Sequence, residues 1–164
     1  MSREIWVTSD THFGHSNIIK YCDRPYNGTQ EMDWDLIDKW NSVVNDGDIV
    51  YHLGDVYMNS SKGYMQNILG KLKGRKRLIL GNHDNGKDQV LQNFFQKISI
   101  WRMFPEFGLL LTHVPVHEST LKTKSLINIH GHIHQNESPT KNHRCVCVEQ
   151  TDYTPINIEE LRVK

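Results

Sequence analysis

Histidine is the outlier among the residues of this chain that can do chemistry. There are ten. His130, His132 and His134 fall at every second position, which on an extended chain puts all three on one side. Five short apolar runs each stop at residues of the same chemical kind. Asp10 and His12 follow residues 5–7, Asp55 follows 48–53, Asn82, His83 and Asp84 follow 78–80, His113 follows 109–111, and His132 and His134 follow 126–129. Sites in α/β proteins gather at the carboxyl ends of strands. Carboxylate, imidazole and amide oxygen together suit divalent manganese, iron, zinc, nickel or cobalt. A closed structural zinc site would use thiolates, and none stands in this set. These donors exceed what one ion needs and suit two ions that share a bridging carboxylate, about 3.5–4 Å apart. Two divalent ions against two aspartates leave a positive pocket that attracts an anion and acidifies a bound water. Phosphate is the anion that fits.

The elements that must carry these groups read from periodicity. Leu78, Ile79 and Leu80 form a continuous apolar run, the mark of a strand buried on both faces. Gly81 lets the backbone turn sharply behind it. Apolar residues at helical spacing predict helices over 30–45, with Met32, Leu36, Trp40 and Val43 inward, over 63–72, and over 88–96. The segment 13–27 reads as a loop with one helical turn at 18–21. Strands are expected at 5–10, 48–53, 78–80, 98–103, 109–111, 126–129, 144–149 and 156–158, followed by a terminal helical turn. The order is βαβαβα and then mostly β, an α/β chain without internal repeats.

The length, 164 residues, suits one domain with a real core. Lys plus Arg and Asp plus Glu balance at 19 each, which gives no support to tracking long nucleic acid by bulk charge. The cluster Lys71, Lys73, Arg75, Lys76 and Arg77 reads as a solvated turn between helix and strand. Residues 5–7 are too short for a signal peptide core, and no run approaches a membrane span. Cys22, Cys145 and Cys147 are sparse and odd in number; Cys145 and Cys147 read as small buried residues on one strand face. A reducing cytoplasm is the expected location.

Taken in order, Asp10-x-His12, Gly54-Asp55, Gly81-Asn82-His83-Asp84, His113 and Gly131-His132-x-His134 resemble the motifs of the calcineurin-like metallophosphoesterases. The resemblance spans residues 10–134 and rests on the ordered set, not on any one fragment. It implies two packed mixed β-sheets flanked by helices, a four-layer αββα sandwich over residues 1–164. It implies that Asp10, His12 and His134 bind one metal, Asn82, His113 and His132 a second, and that Asp55 bridges them, with manganese the favoured ion. It further implies that a hydroxide held between the metals attacks phosphorus, and that His83 stabilises the phosphoryl charge or protonates the leaving oxygen, with Asp84 orienting His83. Many members carry another aspartate shortly after Gly-Asp; here Val56, Tyr57 and Met58 follow. The stretch 10–26 looks like that of small bacterial and phage members. In it His15 and Arg24 are candidates for binding substrate phosphate, with a structural role as the alternative for each. His52 and His130 are placed to support ligands from behind, His117 reads as a surface residue, and His143 carries no functional claim.

The expected activity is hydrolysis of a small phosphorylated substrate, a nucleotide among the candidates. Diesters are favoured over monoesters by analogy with small members of the family. Two alternatives stand beside it: a nuclease acting on DNA or RNA, and an inactive binding scaffold of the same fold.

Overall fold

The computed structural model describes residues 3–122 and 126–162. Strands β1 (Ile5–Thr8), β2 (Ile49–His52), β3 (Arg75–Ile79) and β4 (Lys97–Ser99) pair in parallel, and β9 (Ile156–Asn157) joins β1 antiparallel, giving the order β4-β3-β2-β1-β9. The second sheet has the order β5-β6-β7-β8, from Trp101–Phe104, Leu109–Thr112, Ile127–His130 and His143–Cys145. Its β5–β6 pair is antiparallel and the other two are parallel.

The two sheets pack face to face. Val7, Tyr51, Leu53 and Ile79 from the first meet Leu109, Leu111, Ile129 and Val146 from the second in one buried cluster. This burial on both sides is why the carrier strands read as unbroken apolar runs. The outer face of the first sheet is covered by α1 (Ser16–Tyr21), α2 (Thr29–Val43), α3 (Lys62–Lys71) and α4 (Gln89–Phe94), which bury Ile18, Met32, Leu36, Trp40, Met65, Ile68 and Leu91 there. Leu78 sits fully buried in that layer, so Leu78→Ala would cost about 2–5 kcal/mol. The outer face of the second sheet is covered far more thinly. Its only helical cover among the described residues is α5 (Ser119–Lys122), a single turn absent from the sequence reading, which places Leu121 over Leu110 and Leu126. A last turn, α6 (Ile158–Leu161), is capped by Asn157, whose side chain accepts from the Glu159 N–H at 3.0 Å.

Three expectations change. Residues 98–103 are not one strand. Lys97–Ser99 pairs with β3 and Trp101–Phe104 pairs with β6, and the chain switches sheets at the exposed Ile100. Both halves alternate, so periodicity alone runs them together. The strand expected over 144–149 ends at Cys145. Cys147 then bridges to Ser9 of the first sheet, and Val148–Gln150 forms a 3-10 turn. The basic cluster is also not all solvated. Lys76 is buried in β3, its ammonium donating to the carbonyls of Leu72 at 2.7 Å and Gly74 at 3.2 Å.

Candidate active site

Parallel pairing aligns the strand ends. Thr8 pairs with His52 and His52 with Leu78, so the turns carrying Asp10, Asp55 and Asn82 emerge side by side. In the second sheet Leu111 pairs with Ile129, which brings out His113 beside His132. Main-chain bonds lock the turns together. Asp10 N–H donates to Gly54 O at 2.9 Å, His12 N–H to Asp55 O at 3.1 Å, and Gly131 N–H to His113 O at 2.8 Å. The sheets are joined at the site by the His132 N–H donating to Asp10 Oδ2 at 3.0 Å.

The turns are strained. Asp10 (φ 57°), His12 (φ 49°), Asp55 (φ 56°), His132 (φ 72°) and His134 (φ 52°) all adopt the left-handed region that residues other than glycine rarely enter. Each costs of order 1 kcal/mol or more and persists only where the surroundings hold it, as they do at functional sites. No pattern in the sequence signals this, because the strain is imposed by the neighbouring turns. Gly81 corrects the sequence reading in the same way. A glycine is needed there for space and not for a sharp turn, since a Cβ would stand 2.2 Å from Asp55 Oδ1. Gly131 is alike: its Cβ would stand 2.3 Å from Asp10 Oδ2.

The seven expected ligands come together in two groups. Asp10, His12 and His134 offer donor atoms within 4.8 Å of one another, as do Asp55, His113 and His132. Asn82 joins the second group, its Oδ1 lying 2.8 Å from His113 Nε2 and 2.9 Å from His132 Nδ1. Asp55 Oδ2 stands 3.6 Å from His12 Nε2 and 3.4 Å from His113 Nε2, and so faces both groups. Asp10 Oδ2 is saturated by Ser9 Oγ, Cys147 Sγ and His132 N–H. Asp10 Oδ1 and His12 Nε2, by contrast, are buried with no hydrogen-bond partner among the described residues. Buried polar atoms are rarely left so. These two atoms face the same point, and a cation there satisfies both, so the residues fit a metal ion.

The electrostatics agree. Burial alone would raise the Asp10 carboxyl, but the His12 imidazole 3.7 Å away and the His113 charge hold it at about 2. Asp55 is likewise held far below the carboxylate range against its burial, chiefly by His113 and His12. His113 resists burial through its bond to Asp55 and is raised to about 9. In the metal-free protein His113 therefore keeps its proton at pH 7, whereas a ligating imidazole must be neutral. Metal loading at pH 7 is expected to release protons, and apparent affinity to rise with pH until about 9 is passed. Calorimetry in buffers of different ionisation enthalpy measures this; a heat independent of the buffer would refute it.

Behind the ligands stand residues that fix their tautomers. His113 Nδ1 donates to Leu53 O at 2.7 Å, leaving Nε2 toward the site. His134 Nδ1 lies 3.0 Å from Glu149 Oε1, leaving its Nε2 toward Asp10. Glu149 escaped the sequence reading because it stands there as the last residue of the strand expected over 144–149, whereas it lies on the 3-10 turn. Its carboxylate also receives Arg24 Nε at 2.9 Å and a terminal Arg24 nitrogen at 2.7 Å. Glu149→Gln is expected to weaken binding of the first ion by about 10–100-fold, measured by metal titration. The substitution should also destabilise the fold, since Arg24 loses its buried counter-charge.

Arg24 is therefore not placed to bind substrate. It is buried, and its remaining donors go to the carbonyls of Asp10 at 2.7 Å and Thr11 at 2.9 Å, so it holds the first turn in shape. Asp84 does not orient His83 either. Its carboxylate accepts from the N–H groups of Gly81, Asp55 and Val56 at 2.8, 2.8 and 3.0 Å and staples two turns together. Both corrections have one cause: backbone donors and acceptors in tight turns take up polar side chains that a sequence reading assigns to substrate, as for Arg24, or to a catalytic neighbour, as for Asp84.

His83 itself is exposed, with its N–H bound to Asp55 Oδ1 at 3.0 Å. Among the described residues no side chain hydrogen-bonds its ring, which stands edge-on to His12 with centroids 5.8 Å apart. His15 keeps its position at the site, its Nδ1 3.1 Å from His12 Nδ1. His15, His83, His132 and His134 line a cleft of about 540 Å³. His52 is buried beneath, bonded to Thr11 Oγ1 at 2.8 Å, and burial lowers it to about 3. His130 bonds Gly131 O and Ser138 Oγ and supports the turn, not a ligand ring.

A sequence model of the calcineurin-like phosphoesterases matches residues 3–161. The chain belongs to this family. Among relatives of this phosphoesterase, an uncharacterised protein of Methanocaldococcus jannaschii is 37% identical over 165 residues, 96% of this chain and 88% of that one. The gene 66 protein of Mycobacterium phage L5 is 32% identical over 160 residues, 79% of this chain and 76% of its own. A crystal structure of a protein of unknown function from Aquifex aeolicus superposes with a TM-score of 0.81 at 26% identity, covering 98% of both chains. Family membership implies metal-dependent phosphoester hydrolysis and a dinuclear metal site. Among the described residues no helix is long and apolar enough to cross a membrane.

Proposed function

We infer that this phosphoesterase hydrolyses phosphodiesters, nucleotide esters among them, at a pair of divalent cations. The observation that carries this reading is the pair of converging donor groups with Asp55 facing both and two buried donor atoms left unsatisfied. Asp10, His12 and His134 would hold one ion, Asn82, His113 and His132 the other, and Asp55 both. Manganese is favoured, since carboxylate and amide oxygens mix with imidazole in the donor set. Such a pair supplies a nucleophilic water at neutral pH and offsets the charge of the phosphoryl oxygens.

The chain's own side chains do the rest. His83, whose ring has no hydrogen-bonded partner among the described residues, delivers a proton to the leaving oxygen and steadies phosphoryl charge. His15, beside His12 on the cleft wall, donates to a substrate oxygen. The diester preference is supported by space on two sides. The cleft opens beside His132 and His134, and a second groove opens beside Asn82 and His113, so both substituents of a diester find room. An inward location in the cell, a cytoplasm, suits three buried and unpaired cysteines.

Turnover of bis(4-nitrophenyl) phosphate and of 4-nitrophenyl phosphate, with manganese, iron, zinc, nickel or cobalt added, tests the reading. The diester should turn over faster, and best with manganese. A faster monoester would overturn the preference, and no turnover with any metal would leave a binding scaffold.

A further inference from the structure

The thin outer cover of the second sheet leaves an apolar groove beside the site. Trp101 and Met103 of β5 and Leu110 and Thr112 of β6 alternate along their strands and share one face. With Leu80 and Val114 they line a groove of about 720 Å³, and Asn82 and His113 form one end of it. Trp101 pairs with Thr112, the residue before the ligand His113. Ile100, Trp101 and Val114 are 70%, 54% and 46% exposed. A contiguous apolar patch of this kind, abutting a catalytic centre, marks a binding surface.

The groove does not end in solvent. Trp101 and Met103 also line an adjoining cleft of about 530 Å³, whose other walls include Arg77, Lys97 and Arg102. Arg77 and Lys97 are directly paired across β3 and β4. None of the three cations has a carboxylate partner among the described residues. Arg77 donates to the Tyr51 hydroxyl at 2.7 Å and Arg102 lies 4.8 Å over the Phe104 ring, so their stems are fixed while their charges stay unneutralised. A metal centre, an aromatic platform and a cationic cleft thus follow one another along one edge of the molecule.

We propose that this edge binds a single-stranded oligonucleotide, with the scissile diester at the metal ligands, an unpaired base stacked on Trp101 and a further phosphate at Arg77, Lys97 and Arg102. The proposal rests on the phosphodiesterase reading above and names its substrate. Stacking on an exposed indole needs a base whose face is free, which a duplex does not offer. Arg77 stands five residues before Asn82, the stretch to Ile79 being strand and the rest a turn, so the two lie at most about 17 Å apart along the chain. A ligand that reaches both is longer than a mononucleotide or an aryl ester. The zero net charge of the chain is compatible, because the attraction is confined to three cations and one ring.

Anisotropy of a labelled single-stranded hexamer, with the full chain and a chelator to stop turnover, tests it. The hexamer should bind more tightly than a duplex of the same sequence. Trp101→Ala should weaken binding about tenfold and Trp101→Phe should restore most of it. A hexamer abasic at the stacked position should lose the same factor, with no further loss on Trp101→Ala. Lys97→Gln with Arg102→Gln should flatten the slope of log K against log salt by about 1.4, two single-strand contacts at about 0.7 each. Equal binding of duplex and single strand, or an unaffected Trp101→Ala, overturns the proposal. So does a dimer that Trp101→Ala dissociates in sedimentation, which assigns the face to a second copy of the chain. Turnover of aryl diesters without hexamer binding overturns this subsite alone. Hexamer binding with no turnover of any diester overturns the phosphodiesterase reading and keeps the strand-binding edge.

Discussion

His83→Ala is expected to cut phosphodiester turnover by about 10²–10⁴-fold while both metal ions stay bound. The geometry separates His83 from its neighbour. Asn82 Oδ1 lies 2.8–2.9 Å from two histidines of the second donor group, whereas the His83 ring has no hydrogen-bonded partner among the described residues and lines the cleft. Only the main-chain N–H of His83 touches the metal set, at Asp55 Oδ1, and alanine keeps that N–H. The loss should therefore fall on the chemical step. Metal content by elemental analysis and kcat for the aryl diester measure the two sides. A second substrate with a much better leaving group should recover part of the rate, because it needs less protonation. Loss of metal from the variant would show that His83 is a ligand after all.

Asp55→Asn is expected to weaken both metal sites at once, by more than the about 10–100-fold typical of a partner behind a ligand. Its Oδ2 faces His12 at 3.6 Å and His113 at 3.4 Å, one from each donor group, and its Oδ1 accepts from His83 N–H. An asparagine has one oxygen for these two jobs. With the oxygen toward the metals, its amide opposes the His83 N–H; turned the other way, it presents N–H groups to two cations. Either arrangement removes a negative charge that two ions share. Titration calorimetry should show both affinities reduced, and activity should fall with them. Selective loss of one ion would contradict a bridge.

Much of the candidate site was legible in the chain because its donor residues lie next to strand ends, and strand ends are marked by apolar runs that stop. Leu78 to Leu80 announce Asn82 and His83, and Leu109 to Leu111 announce His113, through local sequence alone. Parallel sheets then bring such ends together whatever their order in the chain. Asp84 and the structural alternative for Arg24 show groups that act across the fold. Asp84 and Arg24 have side chains of the right chemistry near the site. Their partners, though, are main-chain groups of turns 28 and 14 residues away. Glu149 is the converse, a ligand support far along the chain, brought in only because Cys147 bridges to Ser9.

The sequence by itself determined the α/β class, the family and the residues of the two candidate metal groups, since residue type and spacing to a strand end are local properties. Tertiary structure alone decided the rest. It set the positive φ values of five ligands, which the turns impose on one another, and the need for Gly81 and Gly131, which is a matter of space beside Asp55 and Asp10. It set the break at Ile100, because pairing partners and not periodicity choose the sheet. That break turns Trp101 outward beside His113. The apolar groove next to the candidate metal site arises there from two strands, a turn and a thin helical cover that no single stretch of the chain contains.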